Sequence, residues 1–435
     1  MIGFAFLLLS LVGLLATWNV YRPRLAPMNA AALSFAFGWP RGELALHVVA
    51  VEVLMTLGFG LAGAFGTATG VLGLIFSLGS WAGLLLHYRS AQEVEGLAED
   101  ALAYALGPAW RSDLPPELAA RIPADIDRAS LVRPFPQRHA DVDVERNIIY
   151  TRQSGRNLRL DIYRPRGEVS LPGRGRPLLV QIHGGGWIFG SKNEQGVPLM
   201  LHMARQGWVC ASVDYRLSPQ ARWPEHIVDV KRAIAWLREH AADLGIDSEF
   251  IVVTGGSAGG HLAALTALSM NDPAFQPGFE DADTRVAGCV PFYGVYDFPG
   301  TYTTHPNTYL AELLAKWVMQ SSLDEARPDW QAASPLHRIT DAAPPFFVLH
   351  GEKDSLIPVR EARTFVAVLR ERSRASVAYL ELPGAQHAFE IFASLRALLT
   401  VKAVGHWLVR LHSIHLREEE APVVVNEATA GGRAG

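Results

Sequence analysis

Phe250-Ile251-Val252-Val253-Thr254-Gly255-Gly256-Ser257-Ala258-Gly259-Gly260 runs an apolar, β-branched segment straight into a G-x-S-x-G turn. The length, the β-branching and the glycine boundary predict a buried parallel strand ending at Gly255. From Ala258 to Met270 the chain is rich in Ala and Leu, which predicts a helix. Ser257 therefore stands on a strand-to-helix turn. Gly255 and Gly259 carry no Cβ, so that turn can be sharp. Such a turn holds a hydroxyl clear of the backbone at a helix N-terminus, where amides and the helix dipole favour developing negative charge.

A second stretch lies upstream. Leu178-Leu179-Val180-Gln181-Ile182 reads as a buried strand ending at His183-Gly184-Gly185-Gly186-Trp187. This HGGG loop is of the kind that supplies backbone amides to an oxyanion. Either stretch alone is a weak signal; their order and context together are specific. A nucleophilic serine also needs a base, and the base an orienting acid. Pro345-Phe346-Phe347-Val348-Leu349 reads as a strand and leads into a loop presenting Asp354. Residues 377–382 read as the next strand, followed by a loop presenting His387. Both candidates lie just past the carboxyl end of a strand, where an open α/β sheet collects its ligand groups.

These residues resemble the α/β-hydrolase superfamily, and most closely its hormone-sensitive-lipase-like esterase branch. The resemblance is carried by His183 to Trp187, Asp214-Tyr215-Arg216-Leu217-Ser218-Pro219, Gly255 to Gly260, His350-Gly351 with Asp354 and Pro358, and Gly384 with His387-Ala388-Phe389. It covers residues 141–412. Many members carry Asp before the serine, where this chain has Gly256, which leaves subfamily and substrate open. The resemblance implies an α/β fold with a mostly parallel central sheet flanked by helices. It implies a Ser257, His387, Asp354 triad and an oxyanion hole of the Gly185, Gly186 and Ala258 amides. It implies an acyl-enzyme intermediate and no metal or organic cofactor.

Alternatives stand beside several of these residues. Glu352 competes with Asp354 as the acid. His183 reads as a scaffold of the glycine loop, and His350 as a strand end. Asp214 and Arg216 read as a structural pair. Trp187, Tyr293 and Phe389 are candidates for the substrate pocket, with core packing as the competing reading.

The 435-residue chain exceeds one ordinary α/β domain. Its net charge of −4 carries no nucleic-acid footprint. Cys210 and Cys289 fall in apolar runs and read as buried free thiols. Residues 2–18, 44–63 and 67–86 are apolar stretches near the length that crosses ~30 Å of hydrocarbon, Glu52 and His47 being the polar exceptions. They predict a membrane region of about three helices over residues 1–90. Arg22, Arg24 and Arg41 in the first connection, and Arg89 and Arg111 after the third stretch, place the catalytic domain on the cytoplasmic side.

Residues 91–140 read as a linker and cap that helps roof the site, and 141–412 as the catalytic domain with a lid insertion at 293–344. Residues 413–435 read as a disordered tail. The expectation is a multi-pass membrane-anchored serine carboxylesterase, lipase-like, acting on small-molecule or lipid esters. An amidase or peptidase, an acyltransferase, and a catalytically silent ligand-binding protein are the alternatives. The sequence leaves the oligomeric state open.

Overall fold

The computed structural model describes residues 1–135, 138–167, 169, 171–302 and 309–420. The N-terminal region is helical: α1 (Ile2–Tyr21), α2 (Met28–Glu43), α3 (Ala45–Leu61) and α4 (Ala68–Ser90). α1, α3 and α4 fall on the three apolar stretches. α2 occupies what reads from sequence as a simple connection, and is a correction to that reading. The α1 helix and the run Ala68–Leu106 are long and apolar enough to cross a membrane; α2 and α3, bent by 90° at their junction, make a third candidate if counted as one span.

Hydroxyls stitch the helices together. Ser10 Oγ lies 3.0 Å from Ser77 Oγ, and Thr17 Oγ1 2.9 Å from Ser80 Oγ. Glu52 is ion-paired with Arg41 of α2, and its other carboxylate oxygen accepts from Ser80 at 2.9 Å. The Glu52 carboxylate is thus paired on both of its oxygens within the helical bundle.

α4 leads into α5 (Glu93–Leu106) and the single turn α6 (Pro116–Ala119). An eight-stranded sheet follows: β1 (Val142–Gln153), β2 (Arg156–Pro165), β3 (Arg176–Ile182), β4 (Val209–Val213), β5 (Ile246–Gly256), β6 (Gly288–Phe292), β7 (Phe346–Gly351) and β8 (Val377–Leu382). Spatial order is β1-β2-β4-β3-β5-β6-β7-β8. β1 pairs antiparallel with β2, and β2 antiparallel with β4; all later pairs are parallel. This mostly parallel sheet with an antiparallel edge is the arrangement that the resemblance implies.

The connecting helices are α7 (Val197–Arg205), α8 (Glu225–Glu239), α9 (Ala241–Leu244), α10 (Ala258–Leu268), α11 (Tyr309–Leu313), α12 (Arg327–Ala332), α13 (Arg360–Arg372) and α14 (Leu395–Glu420). Alternation along the strands separates two cores. Leu178, Val180 and Ile182 of β3 face α8, α10 and α13. Leu179 faces the opposite layer, built from α5, α7 and α14. Fully buried parallel strands need apolar residues on both faces, which explains the unbroken apolar runs of β3 to β7.

One boundary and one pairing differ from the sequence reading. α14 continues to Glu420, beyond the point where a disordered tail is expected; residues 421–435 lie outside the described residues. Arg216 does not pair with Asp214. Its guanidinium binds Asp229 of α8 (2.7 and 2.9 Å), while Asp214 Oδ1 accepts the Lys192 amide at 2.9 Å. Both acids brace the same loop, but from different sides. Cys210 and Cys289 are buried free thiols.

Candidate active site

Ser257 sits between β5 and α10 with φ 58° and ψ −121°, a conformation that L-residues avoid. Such strain costs roughly 1–3 kcal/mol and persists only where the surroundings over-determine it. Here they do. A Cβ on Gly259 would fall 2.1 Å from the Ile182 carbonyl oxygen, and one on Gly255 2.5 Å from the same atom. The Ser257 amide donates to Phe292 O at 3.0 Å, pinning the turn to β6.

The glycine loop crowds the same space. Gly185 and Gly186 have φ +105° and +60°. A side chain on Gly185 would overlap the Phe189 carbonyl. His183 acts locally: its Nδ1 is 2.8 Å from Gly184 O and its ring stacks on Tyr215 at 4.4 Å. Burial pushes its pKa below the usual imidazole range.

His387 Nδ1 lies 2.6 Å from Asp354 Oδ2. The other oxygen of Asp354 accepts the Leu356 and Ile357 amides at 2.9 and 2.8 Å. Burial alone would raise the Asp354 carboxyl; the charge and hydrogen bonds of His387 and His350 outweigh it and hold it at about 2. His350 closes the cluster, its Nε2 3.4 Å from Asp354 Oδ2 and 2.8 Å from Ile357 O. Glu352 is turned elsewhere, bound to Lys353 and to the Gly384 amide. Gln386 staples the two loops. Its carbonyl oxygen accepts from the Ser355 and His387 amides at 2.7 and 2.9 Å.

Ser257, His387, Gly185, Gly186 and Trp187 line one cavity of about 360 Å³. Ala258 is buried behind them as the first residue of α10. Tyr293 and Phe389 do not line it. Tyr293 is fully buried, its hydroxyl bonded to Glu390 and its ring 4.4 Å from His387. Phe389 packs on Phe292 and Tyr293 in the core. Tyr293 also accounts for Gly256: a Cβ there would fall 2.5 Å from the Tyr293 hydroxyl. Burial raises Glu390 to about 7 even against its bond to Tyr293.

The rest of the cavity wall comes partly from the segment read as a lid and partly from places the sequence reading passed over. Tyr309, Leu310 and Leu313 of the 293–344 insertion contribute, as does Phe189. No described residue of 91–140 does; α5 packs instead in the core against β8 and α14. The roof on that side is α2, through Met28, Phe35 and Trp39. Phe35 meets His387 edge-on at 6.0 Å, and Ser355 Oγ donates to Ala31 O at 3.0 Å. The signal was present as an inward stripe at Ala31, Ser34, Phe35, Gly38, Trp39 and Gly42, spaced three and four apart.

Comparison with known proteins agrees with this architecture. The BD-FAE family profile matches residues 160–369. The chain is 41% identical to Esterase LipQ of Mycobacterium tuberculosis over 87% of this chain and 85% of that one. It is 40% identical to the probable carboxylic ester hydrolase LipM of the same organism, over 96% of each. Among solved structures it is similar to the thermophilic esterase Est2 of Thermogutta terrifontis, with TM-score 0.51 and 28% identity over 66% of this chain and 95% of that one.

Proposed function

This chain belongs to the hormone-sensitive-lipase-like branch of the α/β-hydrolase esterases and is a carboxylic ester hydrolase; on that premise we propose that Ser257, His387 and Asp354 carry the reaction. Ser257 Oγ attacks the ester carbonyl carbon as His387 takes its proton. The tetrahedral oxyanion is met by the amides of Gly185, Gly186 and Ala258. Collapse expels the alcohol, which takes the proton from His387, and leaves an acyl-enzyme. Water, deprotonated by His387, then releases the acid and restores Ser257. Asp354 holds the imidazole in the tautomer whose free nitrogen serves as base.

The observation that carries this reading is the 2.6 Å contact of His387 Nδ1 with Asp354, in a histidine that shares one cavity with Ser257. The strained elbow and the two positive-φ glycines support it. Trp187 belongs to the substrate wall in this reading. Tyr293 supports His387 from behind.

The N-terminal helices anchor the enzyme in a membrane. The support is the length and apolarity of α1 and α4. The catalytic half faces the cytoplasm in this reading, supported by the arginine distribution.

The test is hydrolysis of a p-nitrophenyl ester series by detergent-solubilised protein beside Ser257→Ala. Turnover should fall by at least about 10⁴-fold in the variant with folding retained. Retained turnover would unseat Ser257. Matched anilides and added alcohols, run in parallel, separate esterase from amidase and acyltransferase.

A further inference from the structure

We infer that α2 lies along the membrane surface with its inner face walling the acyl site and its outer face in lipid, so that the natural ester is a long-chain lipid ester received from the bilayer. The inference rests on the ester-cleaving site and the membrane anchoring proposed above.

The topology carries the first part. α1 and α4 run side by side in the same direction, since Ser10, Thr17 and Tyr21 meet Ser77, Ser80 and Gly83 in order. α4 leads into the catalytic half, so the C-terminal ends of both helices stand at the domain end. α3 returns the other way, bringing Phe59 to 5.2 Å from Phe6 near the start of α1. α2 thus joins the domain-side ends of α1 and α3. It meets α3 at 90°. A helix perpendicular to the spans at their domain-side end lies in the plane of the interface.

The residues carry the second part. No charged side chain occurs between Met28 and Pro40. The inner face places Phe35 and Trp39 on the cavity. The opposite face holds Asn29, Ala32, Leu33, Ala36 and Phe37, all exposed, with Leu33 and Phe37 each 59% accessible. A helix that is apolar on both sides needs an apolar neighbour on both. The protein fills one side; the lipid around α1 and α4 is continuous with the other. At the cavity itself, Phe189 is 69% and Tyr309 44% exposed. The reacting serine and the lipid face are then separated by about one helix diameter, ~10–12 Å.

The experiment uses the full-length protein reconstituted in phosphatidylcholine vesicles and a Leu33→Asn/Phe37→Asn double variant. Two substrates are compared: soluble p-nitrophenyl butyrate, and p-nitrophenyl palmitate dissolved in the vesicles. We expect the butyrate rate to be kept and the palmitate rate to fall about tenfold, from the loss of two lipid-seated apolar side chains. Equal retention of both rates overturns the inference, as does a parallel loss of both. Release of the unaltered protein from the vesicles by alkaline carbonate removes the anchoring premise and overturns it for that separate reason. A Ser257→Ala control that still cleaves butyrate would instead indict the catalytic assignment.

Discussion

The indole N–H of Trp39 donates to the carbonyl oxygen of Ala388 at 2.8 Å, across 349 positions of sequence. Ala388 directly follows His387 and is itself held at φ 58°. On the other loop, Ser355 directly follows Asp354 and donates to Ala31 O of the same helix. The N-terminal region therefore clamps the neighbours of both candidate catalytic partners of the serine.

Trp39→Phe keeps the ring and removes the donor. A net hydrogen bond of about 1 kcal/mol corresponds to roughly a fivefold effect, which we expect in kcat for a short-chain ester with KM nearly unchanged. A KM effect alone would show that Trp39 only lines the pocket. Trp39→Ala should add a loss on long acyl chains, read from the same ester series.

Asp354→Asn should cut turnover by about 10⁴-fold, because an amide holds the imidazole in the wrong tautomer. Glu352→Gln should leave turnover within about threefold, since its loss touches only exposed or half-exposed partners. Steady-state kinetics on the two variants decide between these acids; the reverse ranking would move the role to Glu352.

Glu390 gives the fold a pH dependence of definite sign. Its carboxyl is raised by burial from 4.5 to about 7 in the folded protein. Between those values the folded state keeps a proton that the unfolded chain has released. Stability therefore falls as pH rises through this window and levels off above it, by on the order of 3 kcal/mol. Glu390→Gln should flatten that slope. Thermal midpoints from pH 5 to pH 8 would show it, and identical slopes in both proteins would refute it. Asp354, held at about 2, contributes in the opposite sense: its stabilisation is complete above pH 4 and is lost only as pH drops through about 2.

Glu43 and Arg396 form an ion pair with side chains 1% and 2% exposed, joining the end of α2 to the start of α14. Ser394 donates to Glu43 at 2.6 Å, and Arg396 Nε to Pro383 O at 3.1 Å, two residues from the loop's Ala385. Arg396→Met should destabilise by about 3–5 kcal/mol, because a buried carboxylate loses its counter-charge. Glu43→Leu combined with Arg396→Met should recover most of that loss in a denaturation assay. If the single variant is as stable as the parent, the pair does not bind the two halves together.

The elbow, the glycine loop and the order of serine, acid and base were legible because each is local. A buried parallel strand, a Cβ-free turn and a following helix are all written within about a dozen residues. The three apolar N-terminal stretches were legible for the same reason. The preference for Asp354 over Glu352 was also readable, but the geometry that favours it is not local. It depends on Asp354 turning inward to the Leu356 and Ile357 amides while Glu352 reaches Gly384. The aromatics split likewise: Trp187 reaches the cavity, whereas Tyr293 and Phe389 are spent on support and core.

By itself, then, the sequence determined the fold class, the strand-to-helix turn at Ser257 and the loops that present the candidate acid and base, since short-range periodicity and backbone sterics specify these. Only the tertiary structure decided what roofs the site. The inward stripe of α2 is compatible with many neighbours, and its contacts with Ala388, Ser355 and Arg396 bridge more than three hundred positions. Such contacts arise from packing, when the return of the chain brings distant apolar and charged groups out of water together, and no local pattern records them.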